Sequence, residues 1–189
     1  MARKNSVEEP EKQKKDKVKV IYSSERILSE NSDAARELFS SGSYGTLLED
    51  GRVQFSVFEA LHLLEKGKIE IIDFRKRVIS KDELIRRASR IEKGFLTKYA
   101  VFRDLRTRGY IVKTALKFGA DFRVYDRGIK PGEDHAKWIV YSVHEAGSIT
   151  WHEFAAKNRV AHSTKKKLLV GVVDDEGDIT YYEIRWIRP

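Results

Sequence analysis

Cysteine is absent from all 189 residues. That excludes disulfides, thiolate zinc sites, iron–sulfur ligation and a cysteine nucleophile together. Long apolar runs are absent too; none approaches the ~20 residues that span a bilayer, so no contact with a membrane is expected. The first residues, MARKNSVEEPEKQKKDK, lack the apolar stretch of a secretory signal. A reducing, intracellular setting is compatible with these absences, and a cytoplasmic protein is expected. Methionine occurs once and proline three times. With high Lys, Arg and Glu, that composition suits a thermophile.

What is present is charge. Lys and Arg number 37 against 29 Asp and Glu, a formal net charge of +8. The basic balance favours a polyanionic partner such as nucleic acid. With 41% hydrophobic residues the chain can bury a core, and its length allows one domain or two small ones.

Residues 1–17 are polar and read as a flexible basic tail. Its lysines Lys12, Lys14, Lys15 and Lys17 either touch phosphates or merely solubilise. From Val18, apolar and polar residues alternate through Val20 and Tyr22, the period of a strand. Asn31 to Ser40 reads as a helix, and Arg52 to Phe55 as a short strand. Ser56 and Glu59 form a capping-box pattern that opens a helix stopped at Gly67. Ile69 to Asp73 reads as a strand. Ser80 and Glu83 repeat the capping pattern before a helix with Leu84, Ile85, Ala88 and Ile91 on one face. The segment 18–93 is thus expected to be an α+β domain, with a boundary at Gly94.

The segment 94–189 reads as a second domain. It opens on a helix from Phe95 to Thr107. Strands are expected at Tyr110–Lys113, Ala120–Tyr125 and Ala136–His144. Thr150 and Glu153 cap a helix that runs to about Asn158. Lys167 to Val173 is nearly all apolar and reads as a central strand. The acidic turn Asp174, Asp175, Glu176, Asp178 leads into a closing strand, Ile179 to Ile187. The fold class is α+β, two small α/β domains, the second a mixed sheet with flanking helices.

Of the five histidines, His62 lies within an apolar helical pattern and reads as structural. His144 ends a strand and His152 begins a helix. No pair has the spacing of a metal site, so no metal is expected. His135 lies in the polar loop KPGEDH before a strand, where a rigid sheet can hold a reactive group. Lys165, Lys166 and Lys167 stand at the entrance of the apolar strand: a solvated edge, or an anion site. Tyr125 ends its strand with Arg123 on the same face. A metal-dependent nuclease would need a carboxylate cage; Asp121 is present, but His135-Ala136-Lys137 puts histidine where the second carboxylate belongs.

The runs Asp104-Leu-Arg-Thr-Arg-Gly-Tyr-Ile-Val-Lys113, Phe118-Gly-Ala-Asp-Phe-Arg-Val-Tyr125, Glu133-Asp-His135 and Arg159-Val-Ala-His-Ser-Thr-Lys-Lys-Lys-Leu168 resemble the archaeal tRNA-splicing endonucleases. Ser43-Tyr-Gly45 and Leu61-His-Leu-Leu-Glu-Lys-Gly67 resemble their N-terminal domain. The likeness spans roughly residues 18–189 and implies a restriction-endonuclease-like catalytic domain. It implies a triad of Tyr125 as general base, His135 as general acid and Lys166 as transition-state cation, with Lys165 and Lys167 as the alternatives for the lysine. It implies excision of introns from precursor tRNA at a bulge–helix–bulge element, without metal or cofactor, leaving 2′,3′-cyclic phosphate and 5′-hydroxyl ends. Two arginines of the family sandwich a bulged base. Arg159 matches one; Arg185 serves as the other or is an ordinary surface arginine. The acidic turn would dock into another subunit of a homotetramer, or of a heterotetramer with a paralogue. The alternative function is a non-catalytic or partner-dependent RNA-binding subunit of such an assembly.

Overall fold

In a computed structural model of the protein, residues 17–23 and 26–187 are described. The tail expected over 1–17 therefore lies, apart from Lys17, outside the described residues.

The first sheet forms where apolar residues alternate. β1 (Val18–Ser23) buries every second side chain, as its sequence requires. It pairs antiparallel with β2 (Arg26–Ser29), a strand the sequence reading did not anticipate. β3 (Thr46–Leu47) and β4 (Val53–Phe55) extend one edge, and β5 (Ile69–Ile72) lies parallel to β1 at the other. Three helices complete this half: α1 (Asp33–Ser40), α2 (Val57–Glu65) and α3 (Lys81–Ile91). Ser56 and Glu59 form the full reciprocal capping box at α2. At α3 only half of the expected box exists. Ser80 accepts from the Glu83 amide, while the Glu83 carboxylate turns to Arg86 and Arg87. Ile91, expected on the buried face, is 73% exposed because the helix ends there.

Gly94 precedes α4 (Phe95–Thr107) in the left-handed conformation, φ +69°. The second sheet has the order β10-β9-β8-β7-β6. Its strands are β6 (Ile111–Ala115), β7 (Ala120–Tyr125), β8 (Trp138–His144), β9 (Lys167–Val173) and β10 (Ile179–Ile184). All neighbours are antiparallel except β8 and β9, which are parallel. A parallel pair needs a crossover, and α5 (Trp151–Ser163) supplies it. That helix runs past the expected end at Asn158 to Ser163, which places Arg159 inside it. The closing strand is shorter than expected, so Arg185 lies one residue beyond its end.

One continuous apolar core joins the two sheets. The Phe58 ring of α2 stacks on Phe95 of α4 at 5.2 Å and meets Phe122 of β7 edge-on at 5.0 Å. Such pairs add about 0.5–1.5 kcal/mol each to what area burial supplies. A buried ion pair spans the same seam. Glu59 accepts from the Gly45 amide and from Lys113 Nζ on β6, each at 2.9 Å. Lys113 also donates to the Gly45 carbonyl. Among the described residues no helix is long and apolar enough to cross a membrane.

Candidate active site

Three segments that are remote in sequence meet at one end of the second sheet. The first is the end of β7. Alternation along β7 puts Asp121, Arg123 and Tyr125 on one face, opposite Phe122 and Val124 in the core. Tyr125 is the last residue of the strand and only 5% exposed. The Arg123 guanidinium carbon lies 5.9 Å from the centre of its ring.

The second segment is the loop from β7 to β8. It is fastened at both ends and along its length. Lys137 donates its amide to the Val124 carbonyl and its Nζ to Asp126. The Glu133 carboxylate accepts from the Lys130 amide, and Lys130 Nζ reaches the Ser40 carbonyl at the end of α1. Gly132 holds a positive φ of 102° that a side chain would resist. His135 closes this loop, exposed, with its amide donated to Asp134 Oδ1 at 2.6 Å.

The third segment is the turn between α5 and β9. Lys165 adopts the left-handed conformation, φ 56°, at the helix end. The amides of Lys165 and Lys166 donate back to His162 and Ala161. This reversal sends the three lysines in different directions. Lys165 is exposed to solvent, and Lys167 pairs with Glu183 at 3.0 Å. Lys166 points inward, its Nζ donated to the Thr164 carbonyl at 2.9 Å and lying 5.6 Å from the Phe118 ring centre.

These segments enclose a cleft of about 370 Å³, lined by Phe118, Arg123, Tyr125 and Lys166 with residues 132–136, His135 among them. All three expected triad positions border it; Lys165 and Lys167 do not. Phe118 opens one of the family-like runs, but nothing in the sequence places it at the cleft, which it reaches through a short 3-10 turn before β7. Arg123 was legible only as a neighbour of Tyr125. Two cations in the cleft, Arg123 and Lys166, have no carboxylate partner among the described residues. Glu133 and Asp134 at the rim are engaged with amides of their own loop. The site thus brings together a phenol hydroxyl, an imidazole and cations without a carboxylate partner, a set suited to phosphoryl chemistry.

Asp121 does not stand in this cleft. It pairs with Lys98 at 3.0 Å and accepts the Ser142 amide at 2.7 Å. Among the described residues no three His, Asp or Glu side chains are grouped to hold a metal ion. Arg159 is exposed on α5. Arg185 pairs with Glu183 at 3.1 Å. Glu183 also accepts from the Trp138 indole and Lys167, and those donors hold its carboxyl down to about 2. The acidic turn is tied within itself, the Asp178 amide donating to Asp174 Oδ1. Asp175 faces His144 at 3.4 Å.

Two family models cover these halves. The one described as the tRNA intron endonuclease N-terminal domain matches residues 18–85, and the one described as the catalytic C-terminal domain matches 95–181. A tRNA-splicing endonuclease of Methanothermobacter thermautotrophicus is 46% identical over 155 residues, 82% of this chain and 89% of that protein. One from Thermococcus kodakarensis is 38% identical over 166 residues, 88% of this chain and 96% of the relative. One from Nanoarchaeum equitans is 42% identical over 142 residues, 72% and 90% of the two chains. The chain therefore belongs to the tRNA intron endonuclease family and carries both its N-terminal and its catalytic domain.

Proposed function

We propose that this chain is the catalytic subunit of an endoribonuclease that excises introns from precursor tRNA at bulge–helix–bulge elements. The cut is an internal transesterification. The 2′-oxygen of the nucleotide before the cut attacks the adjacent phosphorus, and the bond from phosphorus to the 5′-oxygen breaks. Tyr125 takes the 2′-hydroxyl proton, His135 gives a proton to the departing 5′-oxygen, and Lys166 stabilises the charge gathered on the phosphoryl oxygens. The RNA supplies its own nucleophile, so no water has to be activated by a metal. The products are a 2′,3′-cyclic phosphate and a 5′-hydroxyl.

The observation that carries this reading is the shared cleft. Base, acid and cation come from a strand end, a fastened loop and a helix–strand turn, and all three border about 370 Å³. Arg159, exposed on the helix that leads to Lys166, is our candidate for stacking on a bulged base. The engagement of Arg185 with Glu183 makes it the weaker candidate for the second stacking partner. One bulge–helix–bulge contains two cut sites, so two active sites must be held at fixed spacing. We assign that to a homotetramer docked through the acidic turn; a heterotetramer with a paralogous subunit is the second arrangement.

The test is incubation of the purified chain, in excess EDTA, with an RNA carrying a symmetric bulge–helix–bulge, followed by mapping of the ends. Two cuts leaving cyclic phosphates are expected. Binding without cutting would point to a required partner subunit, and the absence of both would overturn the proposal.

A further inference from the structure

Arg123 is the cation of the cleft to which the scheme above gives no task. It stands two residues before Tyr125 on the same face of β7. Its Nε is buried and has no hydrogen-bond partner among the described residues. The carboxylates that line the same clefts as Arg123 are occupied. Asp121 holds Lys98 and the Ser142 amide. Glu92 also holds Lys98. Glu59 holds Lys113, which is the cross-strand neighbour of Arg123 on β6. At the rim, Glu133 and Asp134 are engaged with the amides of Lys130 and His135.

A guanidinium stays charged in proteins and offers a planar fork of donors that matches phosphate oxygens. Leaving such a group half-buried with an unmet donor and no carboxylate costs free energy, and a bound anion would offset that cost. Position narrows the choice of anion. Arg123 lines the cleft of Tyr125 and His135, and it also lines a second cleft of about 580 Å³ at the seam between the two halves. It therefore stands at the wall common to both. Lys166 borders the first cleft only.

We propose that Arg123 binds a second phosphodiester of the RNA, one flanking the phosphate that is cut, where the strand passes from the active-site cleft toward the interdomain cleft. The inference rests on the endonuclease reading above. The guanidinium grips one backbone phosphate while Lys166 faces the scissile one, so the strand is held on both sides of the reacting bond.

The experiment uses a bulge–helix–bulge RNA in which single phosphates flanking the cut are replaced, one at a time, by neutral methylphosphonates. Single-turnover cleavage and binding in EDTA are compared for the wild-type chain, Arg123→Met and Arg123→Lys. On unmodified RNA, Arg123→Met is expected to lose at least about tenfold in rate or affinity and to lower the salt slope of binding by about one. One methylphosphonate should cost the wild type a similar factor and cost Arg123→Met nothing more, with Arg123→Lys in between. Equal penalties in wild type and Arg123→Met at every position would overturn the proposal, as would a full wild-type rate and affinity in Arg123→Met. Melting curves and oligomer mass check the fold, and Arg123→Gln, which keeps a polar stem, repeats the comparison if the Met variant fails to fold. If the wild type neither binds nor cuts unmodified RNA, the endonuclease reading itself falls; if it binds and the penalties in rate or affinity are additive, only the role of Arg123 falls.

Discussion

His62 shows what burial does to a single titratable residue. It is 2% exposed, its ring meets Phe102 edge-on at 5.9 Å, and its Nε2 has no partner among the described residues. Burial first, then the positive charges of Lys66 and Arg106, push its pKa down to about 4. The unfolded chain binds a proton there near pH ~6.5, while the folded chain does not until about pH 4. Stability conferred by this residue is therefore complete above ~6.5 and falls as the pH drops toward 4. The loss is on the order of 2–3 kcal/mol. His62→Leu should remove most of that slope, read as urea unfolding free energy between pH 7 and 4.5; an unchanged slope would assign it to other groups. At the same scale, Tyr125→Phe removes only a hydroxyl from a buried ring. It should retain RNA binding and lower single-turnover cleavage by 10²–10⁴-fold, the usual weight of a general base. Cleavage at the wild-type rate would remove Tyr125 from the mechanism.

At the scale of elements, the turn from α5 to β9 decides which lysine serves the cleft. A non-glycine residue in the left-handed region is strained, and Lys165 occupies it at φ 56°. Lys165→Gly should therefore raise stability by a few tenths to about 1 kcal/mol and leave cleavage intact. Lys166→Met should leave stability nearly unchanged and abolish most cleavage. Thermal melts and single-turnover rates on both variants check the pair. The reverse pattern would mean that the turn presents Lys165 to the substrate. This element also shows the reach of a sequence pattern. The capping box at Thr150 was legible and fixes the start of α5. Its end was not, because Val160 and Ala161 continue the helix by packing on the second sheet, and polar residues around them hide that periodicity.

At the scale of the whole molecule, the two halves are fastened through the phenylalanine cluster and the Glu59–Lys113 pair. Glu59 is 4% exposed. Removing one partner of a buried pair leaves the other uncompensated, which costs about 3–5 kcal/mol. Glu59→Ala should lower the unfolding free energy by that order. Combined with Lys113→Met, the loss should be smaller than the sum by at least ~1 kcal/mol, measured by a double-mutant cycle in urea. Strict additivity would mean that the pair is not coupled. Assembly is tested on the acidic turn: replacing Asp174, Asp175 and Asp178 with Asn removes charge and keeps side-chain hydrogen bonding. We expect a lower mass by light scattering; an unchanged mass would remove the turn from assembly.

The sequence by itself determined most of the local structure. Apolar alternation set β1 and β7, capping residues set the starts of α2 and α5, and Gly67 and Gly109 set the stops of α2 and α4. Those signals are local, since each depends on neighbours within a few residues. The family likeness also singled out Tyr125, His135 and Lys166. Only the tertiary structure decided that Lys166, and neither neighbour, borders the same cleft as the other two, because that depends on one left-handed residue at Lys165. It alone withdrew Asp121 from the cleft, through an ion pair with Lys98 on α4. It alone left Arg123 without a counter-ion, because Asp121, Glu92 and Glu59 are claimed by lysines of other elements, and Glu133 and Asp134 by amides of their own loop. Charge balance inside a site is a property of the packed molecule, and no spacing rule in the chain encodes it.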